Sequence, residues 1–289
     1  MRTLLKDFWS KTTLLIFGLM MLPFLLSAQT LTYEKDEPPK LQELIDAREV
    51  FEFEVRYGFF TLGWVDVELL PDTTYAGEKA YHMRTRIRSN RRVPFVGTRI
   101  VNYENLFKIE DEKMYSHEFW RDDIHDEEYD RIRIVFDREE EMVKFFEHGE
   151  PKDTLDLVEP ASGGDIIFFY SRLFAGTDES YELPVYISDE GEDIEQHGDI
   201  IAHNSDETEM RSYDAFDDDV EAYISEGTTS IDGPFGFSGD FKAWFSTDDL
   251  RIPLEAHVKV MFGNVRVRLI SYERHNVLHP IEIKEENEL

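Results

Sequence analysis

The segment SGDFKAWFSTDDLRIPLEAHVKVMFGNVRVRLISY, residues 238–272, decides the fold class of this chain. Every second residue is apolar within three runs, at residues 241–245, 254–262 and 265–269. Because successive side chains of a strand point to opposite faces, this period of two predicts three strands with one buried and one solvated face. Thr247-Asp248-Asp249 separates the first two runs, and Gly263-Asn264 is typical of a two-residue hairpin turn.

The same alternation recurs along most of the chain. Further runs of this kind lie at residues 51–57, 62–70, 79–89, 100–110, 114–121, 128–136, 142–148, 181–188 and 220–226. Pro71 is predicted to end the second of them, whereas the acidic region 189–219 alternates too weakly for its strand order to be predicted. Short strands at this spacing predict a mainly β fold, with one curved antiparallel sheet or partly open barrel of about ten to twelve strands.

One segment breaks this period. Ser162-Gly163-Gly164-Asp165 matches the capping box that begins many helices, and Gly176 supplies a stop signal. Between them, apolar residues recur at helical spacing, at Ile166, Ile167, Phe169, Tyr170, Leu173 and Phe174. The pattern predicts one short helix, residues 165–174, which is so apolar that it must lie buried against the sheet. In a curved sheet it would fill the concave side.

Composition limits the chemistry of this chain. Its 289 residues include 62 acidic and 31 basic ones, which gives a formal net charge of −31. Long-range repulsion of this size argues against nucleic acid as a partner and against nonspecific binding to an anionic bilayer. The chain contains no cysteine, so disulfides, thiolate metal sites and cysteine nucleophiles are excluded.

The N-terminus has the features of a secretory signal peptide. A basic head precedes an apolar run, residues 12–26, and cleavage is expected after Ala28. The run is short for a membrane span, but Leu26 fits the cleavage pattern imperfectly, so an uncleaved anchor is the alternative. We expect an exported protein, periplasmic or associated with the envelope, without a transmembrane segment after cleavage. The predicted organisation is a signal peptide (1–28), a flexible leader (29–48), a single β domain (49–275) and a polar tail (276–289).

Three blocks of the chain resemble one bacterial family in order and character. They are FEFEVRYGFFTLGWVDVEL at residues 51–69, GGDIIFFYSRLFAG at 163–176, and a run from Tyr213 that ends in AWFSTDDLRIPLEAHVKVMFGNVRVRLISY at 243–272. The family is that of the domain of unknown function 3108. The resemblance implies an exported envelope protein with a curved antiparallel sheet, similar in general shape to the periplasmic lipoprotein carriers. It supplies no catalytic residues.

The sequence contains no recognisable catalytic motif. The nine histidines lack a metal-site spacing, and Asp217-Asp218-Asp219 lacks the spaced oxygen ligands of a calcium loop. Ser162-Gly163-Gly164 has neither the Gly-x-Ser-x-Gly elbow nor a phosphate-loop ending. We therefore expect a protein that is not an enzyme and that holds no metal or cofactor.

Two groups of side chains are candidates for ligand binding. Arg84, Arg86 and Arg88 share one strand face, and they need either cross-strand carboxylates, the preferred explanation, or an anionic head group as partners. The other group is aromatic and could line the space between the helix and the sheet, by default as closed core and otherwise as a pocket. Its members are Trp64, Phe168, Phe169, Trp244 and Phe262.

Two functions are consistent with these expectations. The first is a noncatalytic envelope protein that binds or carries a lipid or other amphiphile in the concave sheet. The second is a structural module that holds an envelope protein partner through its sheet edges or acidic surface, without a ligand pocket. Lipid that co-purifies with the chain would favour the first function, and a partner captured from an envelope extract would favour the second. The sequence leaves the ligand, the partner and the oligomeric state open.

Overall fold

Strands make up most of the structure, a computed structural model that describes residues 37–93, 97–125, 128–188, 195–233, 237–260 and 263–275. The predicted signal peptide, residues 1–28, and the predicted tail, residues 276–289, lie outside these ranges. In chain order the described strands are β1 (Glu49–Tyr57), β2 (Phe60–Tyr75), β3 (Glu78–Ser89), β4 (Arg99–Glu110), β5 (Lys113–His125), β6 (Glu128–Asp137), β7 (Met142–Glu147), β8 (Glu150–Asp156), β9 (Ser180–Ser188), β10 (Glu195–Arg211), β11 (Val220–Gly233), β12 (Phe237–Ser246), β13 (Pro253–Lys259) and β14 (Asn264–Arg274).

These strands belong to one 14-stranded antiparallel sheet. Its spatial order is β8-β7-β6-β5-β4-β3-β2-β1-β14-β13-β12-β11-β10-β9, so almost every strand pairs with its neighbour in the sequence. The exception joins the first strand to the last, with Glu49 opposite Arg274 and Tyr57 opposite Val265. β8 and β9 form the two edges, and the ladder does not close between them. The mainly β fold predicted from the sequence is confirmed.

Side chains from distant strands meet on one face of the sheet. Tyr186 of the edge strand β9 is buried in one cluster with Phe119 of β5, Ile134 of β6 and Val143 of β7. The Tyr186 hydroxyl also donates a hydrogen bond to the carbonyl of Asp156, at the end of the other edge strand, at 2.7 Å. Because β8 and β9 are opposite edges, these contacts require the sheet to curve around this face, which we call the inner face.

The two faces follow the alternation in the sequence. Phe51 and Phe53 of β1 and Val67 of β2 are buried on the inner face. The intervening side chains, such as Glu52 and Asp66, are half-buried on the outer face. The sheet therefore has one apolar face for packing and one face rich in charge, as the period of two predicts.

The segment at residues 238–272 forms β12, β13 and β14, as predicted. The two-residue turn predicted at Gly263-Asn264 is wrong, because Asn264 lies opposite Lys259 and therefore belongs to strand β14. The Val260 N–H donates to the Gly263 carbonyl at 3.0 Å. Gly263 has a φ of 87°, which a residue without a side chain adopts readily, so it ends the turn and Asn264 already belongs to the ladder.

Three strands depart from the prediction. β2 continues through Pro71, because the register shifts between Leu70 and Thr73 and a bulge accommodates a residue that lacks an N–H. β8 is polar and mostly exposed, so no apolar alternation reveals it. β10 crosses part of the acidic region, where Ala202 is buried between more exposed neighbours. The sheet consequently has more than the predicted ten to twelve strands.

Helix α1 (Leu41–Ala47) precedes β1, within the region 29–48 that the sequence predicts as a flexible leader. Four of its side chains, Leu41, Leu44, Ile45 and Ala47, are buried. Arg48 follows in the left-handed conformation, with a φ of 49°, and ends the helix. No helix in the described ranges is both long enough and apolar enough to span a membrane.

Helix α2 (Ile167–Tyr170) continues as a 3-10 turn, Ser171–Leu173. It is shorter than the predicted helix 165–174, and the predicted capping box is absent. The residue before the helix, Ile166, makes no side-chain cap, and the Ser162 hydroxyl instead accepts a hydrogen bond from the Gly164 N–H at 3.0 Å. Gly164 has a φ of 96°, which is incompatible with a helix, so the helical turn begins only after it.

Candidate functional site

Helix α2 packs on the inner face of β1. The ring of Phe168 lies 5.7 Å from the ring of Phe53, between centroids, and Phe168 is half-buried. Ile166 and Phe169 are buried. Two of the five predicted aromatic residues, Phe168 and Phe169, therefore lie on this helix, and apolar burial holds it against the sheet.

Trp64 and Trp244 lie on the outer face. Trp64 is in phase with Asp66 on β2, and Trp244 is in phase with Lys242 on β12. Because alternate side chains of a strand point to opposite faces, neither indole reaches the space beneath α2. The phase of their charged neighbours already contained this information in the sequence. Phe262, the remaining aromatic candidate, lies outside the described residues.

A buried ion pair fastens the turn after α2 to the sheet. Arg172 is 0% exposed, and its Nη1 lies 2.7 Å from Oε2 of Glu49, whose side chain is 1% exposed. Arg172 Nε donates to the carbonyl of Leu250, and the Tyr272 hydroxyl donates to Oε1 of Glu49, both at 2.7 Å. Burial, together with the Glu49 charge, raises the pKa of Tyr272. These added hydrogen bonds offset the cost of taking two charges out of water.

A second polar group lies among the apolar side chains of the inner face. The Asn105 amide donates to Oδ1 of Asp165, in the loop before α2, at 2.7 Å. Burial raises the pKa of Asp165 to about 6, and its hydrogen bonds from Asn105 and from the backbone oppose that rise. Among the described residues, four buried oxygens here make no hydrogen bond, although such groups normally have a partner. We call them the inner polar group: Thr85 Oγ1, Asn105 Oδ1, Ser116 Oγ and Asp165 Oδ2.

A network of charged and aromatic side chains lies on the outer face of β10, β12 and β13. The buried Glu255 has Oε2 3.0 Å from Arg211 Nη2 and Oε1 2.6 Å from His257 Nε2. Arg211 also pairs with Glu209 at 2.7 Å and stacks over Trp244, 4.2 Å from the ring centroid. The Trp244 Nε1–H donates to Glu209 at 2.5 Å. Arg211 of β10 bonds to Glu255 of β13 and stacks on Trp244 of β12, so the network joins the three strands.

The arginine row of β3 also lies on the outer face. Arg84 Nε donates to Glu68 at 3.0 Å, and Arg88 Nη2 donates to Asp66 at 2.9 Å, both across the pair β2 and β3. Glu68 and Asp66 are therefore cross-strand carboxylate partners of the kind expected from the sequence. Arg86 is exposed and forms no ion pair with a residue that the structure describes.

Sequence reasoning missed Arg172 and the inner polar group. Arg172 is the only charged residue between Ile166 and Phe174, and a lone charge within such an apolar run was the available signal. Asn105 occupies the same strand face as the buried Phe107, where an apolar residue is expected. For metal binding, the described ranges hold no suitable group of three or more His, Asp or Glu side chains.

The comparisons with known proteins concern the family and the fold. A family model described as "Protein of unknown function (DUF3108)" matches residues 52–270. The chain is similar to a solved β-barrel-like protein of the domain of unknown function DUF1849 from Brucella abortus, at 11% identity and a TM-score of 0.46, over 80% of this chain and 99% of that one. It is also similar to a Bacteroides fragilis protein with a YmcC-like fold, at 9% identity and a TM-score of 0.32, over 82% and 98% of the two chains. No curated protein matches the sequence.

Proposed function

The chain belongs to the family of proteins of unknown function DUF3108, and we propose that it is a noncatalytic protein that binds one amphiphilic molecule on the inner face of its sheet. In this proposal the apolar chain of the ligand lies beside Phe168, and its head group bonds to the inner polar group. Burial of the chain against aromatic and aliphatic side chains supplies affinity at about 25 cal/mol per Å² of apolar area. The head group supplies orientation.

The observation that carries the proposal is the set of buried oxygens without a partner. Thr85 and Asn105 lie on adjacent strands, two positions apart in register, and Asn105 bonds to Asp165 from the loop before α2. A buried polar atom that lacks a partner costs about 1–3 kcal/mol, so such a group favours a bound molecule that completes its hydrogen bonds.

The chemistry of these oxygens indicates the class of head group. Asn105 Oδ1 accepts only, and Asp165 Oδ2 accepts only when the carboxyl is ionised. Both therefore favour a head group that donates hydrogen bonds, such as a hydroxyl or an ammonium group. A carboxylate head group would be repelled by the ionised Asp165.

The open edge of the sheet supplies an entry route in this proposal. β8 and β9 are not joined by a ladder. A few separate bonds connect this region instead, such as Lys152 Nζ to Ser188 Oγ at 3.3 Å and the Tyr186 hydroxyl to the Asp156 carbonyl at 2.7 Å. One backbone hydrogen bond, from the Tyr186 N–H to the Ser162 carbonyl at 2.8 Å, joins β9 to the segment after β8. Separate bonds of this kind break at lower cost than a continuous ladder, so the edges can separate to admit an acyl chain.

Export to the periplasm is part of the proposal and rests on the sequence of residues 1–28, with its basic head, apolar run and small-residue exit. A noncatalytic carrier of amphiphiles is a role that suits this compartment, where such molecules have to cross water between two membranes.

A second candidate function is the structural module that holds an envelope protein partner. The observation that favours it is the edge strand β8, whose side chains are mostly exposed. An exposed edge can accept a strand from another chain. Capture of a stoichiometric partner that is lost when Thr154→Pro blocks the edge would support this function over ligand binding.

Binding of the fluorescent probe 1-N-phenylnaphthylamine tests the leading proposal. The probe brightens in apolar surroundings, and we expect saturable binding to the wild-type chain. At about pH 8, where Asp165 is ionised, a monoacylglycerol should displace the probe more effectively than the fatty acid of equal chain length.

Matched variants locate the site. Phe168→Asp should abolish probe binding, because it places a charge beside the ligand chain. Trp64→Ser, on the outer face, should leave binding unchanged. The proposal is contradicted by a wild-type chain that gives no saturable signal, or by equal losses in the two variants.

A further inference from the structure

The connection between β1 and β2 exposes a cluster of aromatic side chains. Phe59 is 81% exposed, and its ring lies 4.1 Å from that of Phe60, between centroids. Tyr57 and Phe60 are exposed as well, and Gly58 between them has a φ of 57°, which turns the chain at this point. Exposed aromatic rings in contact with one another cost solubility, so they mark a surface that meets another apolar phase.

The exposed apolar side chains of the described residues concentrate at this end of the sheet. In an antiparallel meander the connections β1–β2, β3–β4 and β5–β6 lie at the same end. Ile124 and Tyr129, opposite each other beside the connection β5–β6, are also exposed. Five of the seven exposed large apolar side chains are found here: Tyr57, Phe59, Phe60, Ile124 and Tyr129, the other two being Val158 and Met210.

Basic residues lie beside the aromatic cluster. The connection β3–β4 begins at Asn90, whose N–H donates to the Leu62 carbonyl at 2.7 Å and whose side chain donates to the Thr61 carbonyl at 2.9 Å. Arg91 and Arg92 follow directly and are exposed. The backbone at Arg91 and Arg92 therefore lies close to the start of β2, beside the β1–β2 connection, and residues 89–99 contain no acidic residue.

The opposite end of the sheet is acidic. The turn between β4 and β5 contains Asp111 and Glu112, and the turn between β6 and β7 contains Glu139, Glu140 and Glu141, all of them exposed. A strand of twelve residues such as β3 is about 40 Å long, several times the Debye length of about 8 Å at physiological ionic strength. Those turns are therefore screened from anything that touches the aromatic cluster, despite the net charge of −31. The connection β5–β6 carries carboxylates at the same end as the aromatic cluster, and three of them are ion-paired: Asp122 with Arg131, Asp123 with Arg99 and Asp130 with Arg121.

We infer that the connections β1–β2 and β3–β4 dock on the surface of a phospholipid bilayer that contains anionic lipids, with Phe59 and Phe60 entering the interface and Arg91 and Arg92 contacting phosphate groups. Aromatic rings favour the region between head groups and acyl chains. Arginine forms bidentate bonds with phosphate. A second copy of the chain is a poorer occupant, because it brings the same arginines to the contact. The inference does not depend on the ligand proposed for the inner face.

A single cysteine introduced into this cysteine-free chain tests the inference. Phe59→Cys, labelled with an environment-sensitive fluorophore, should show a blue shift with phosphatidylcholine/phosphatidylglycerol vesicles and quenching when their lipids are brominated. Glu140→Cys, labelled in the same way at the opposite end, is the matched control and should show neither effect. Residues 1–28 are present in both proteins, so the difference between the two labels reports on the β1–β2 connection alone.

Charge reversal tests the role of the arginines. The double change Arg91→Glu and Arg92→Glu should weaken vesicle binding of the labelled Phe59→Cys chain by about tenfold or more at low salt. The inference is overturned by the absence of a blue shift at position 59, by equal responses at positions 59 and 140, or by charge reversal without effect. A shift at position 59 that needs no vesicles and grows with protein concentration would also overturn it, because it would identify a second copy as the occupant.

Discussion

Two arginine–glutamate pairs, one on each face of the sheet, differ in their exposure to water. Arg172 and Glu49 are 0% and 1% exposed on the inner side, whereas Arg133 and Glu118 are 42% and 9% exposed on the outer face. Loss of Arg172 leaves an unsolvated charge on Glu49, whereas loss of the exposed Arg133 side chain opens its place to water and leaves Glu118 a hydrogen bond from the Tyr75 hydroxyl at 3.0 Å. Charge on the inner side therefore fixes the position of α2, while most charge on the outer face only makes the sheet soluble.

Removal of the arginine from each pair should give the largest difference in unfolding free energy between the two faces. Arg172→Ala should lower the free energy of unfolding by about 3–5 kcal/mol, because Glu49 is left buried without its partner. Arg133→Ala should lower it by about 1 kcal/mol or less. Urea unfolding of the two variants measures both values.

A double variant provides the control for this contrast. Arg172→Met combined with Glu49→Leu removes both charges, so it should recover much of the stability lost in Arg172→Ala. Equal losses in Arg172→Ala and Arg133→Ala would show that the two faces do not differ in the way described.

Aromatic residues on the two faces should also differ in their contribution to the unfolding free energy, by a smaller amount. Phe169→Ala should lower the free energy of unfolding by about 3 kcal/mol, because it opens a cavity beneath α2. Trp64→Ala, on the half-buried outer face, should cost about 1 kcal/mol or less. Thermal unfolding measures both changes, and Phe169→Leu, which keeps most of the volume, should lose less than Phe169→Ala. A larger loss at Trp64 than at Phe169 would reverse the assignment of the faces.

Asp165 should give the inner face a pH dependence. Burial raises its pKa from 3.8 to about 6, so the folded chain holds this proton more tightly than the unfolded chain does. Its contribution to stability is present below pH 3.8 and is lost as the pH rises through about 6. Asp165→Asn should therefore exceed the wild type in unfolding free energy by on the order of 2 kcal/mol at about pH 8, and by almost nothing in acid.

His117 should give the opposite pH dependence. It stacks on Tyr75, at 4.5 Å between ring centroids, and burial together with the charges of Arg138 and Lys108 lowers its pKa from 6.5 to about 4. The unfolded chain binds this proton more readily, so stability is full above pH 6.5 and is lost as the pH falls towards 4. On acidification, His117→Phe should therefore lose less unfolding free energy than the wild type, by on the order of 1–2 kcal/mol. Unfolding at several pH values distinguishes the two groups, and slopes of the same sign would contradict the assignment.

The alternation of side chains predicted the sheet and its apolar face, but it could not predict which residues distant in the sequence form contacts. Phe53 and Ala243 follow a local period of two, which any single strand displays. Arg172 and Glu49 are 123 residues apart in the sequence, and no local pattern pairs them. Trp64 and Trp244 were candidates for the space beneath the helix. Charged residues two positions away on the same strands, Asp66 and Lys242, show instead that both indoles belong to the outer face. The tolerated Pro71 depends on a bulge whose position is set by the partner strand.

Native mass spectrometry of the chain, purified from the envelope fraction without strong detergent, would detect a ligand on the inner face directly. One bound amphiphile with a hydroxyl or ammonium head group is expected in the wild-type chain and in Trp64→Ser. None is expected in Phe168→Asp. A wild-type chain that carries no such molecule, and takes up none when monoacylglycerol is added, would contradict the claim that the inner face is a binding site.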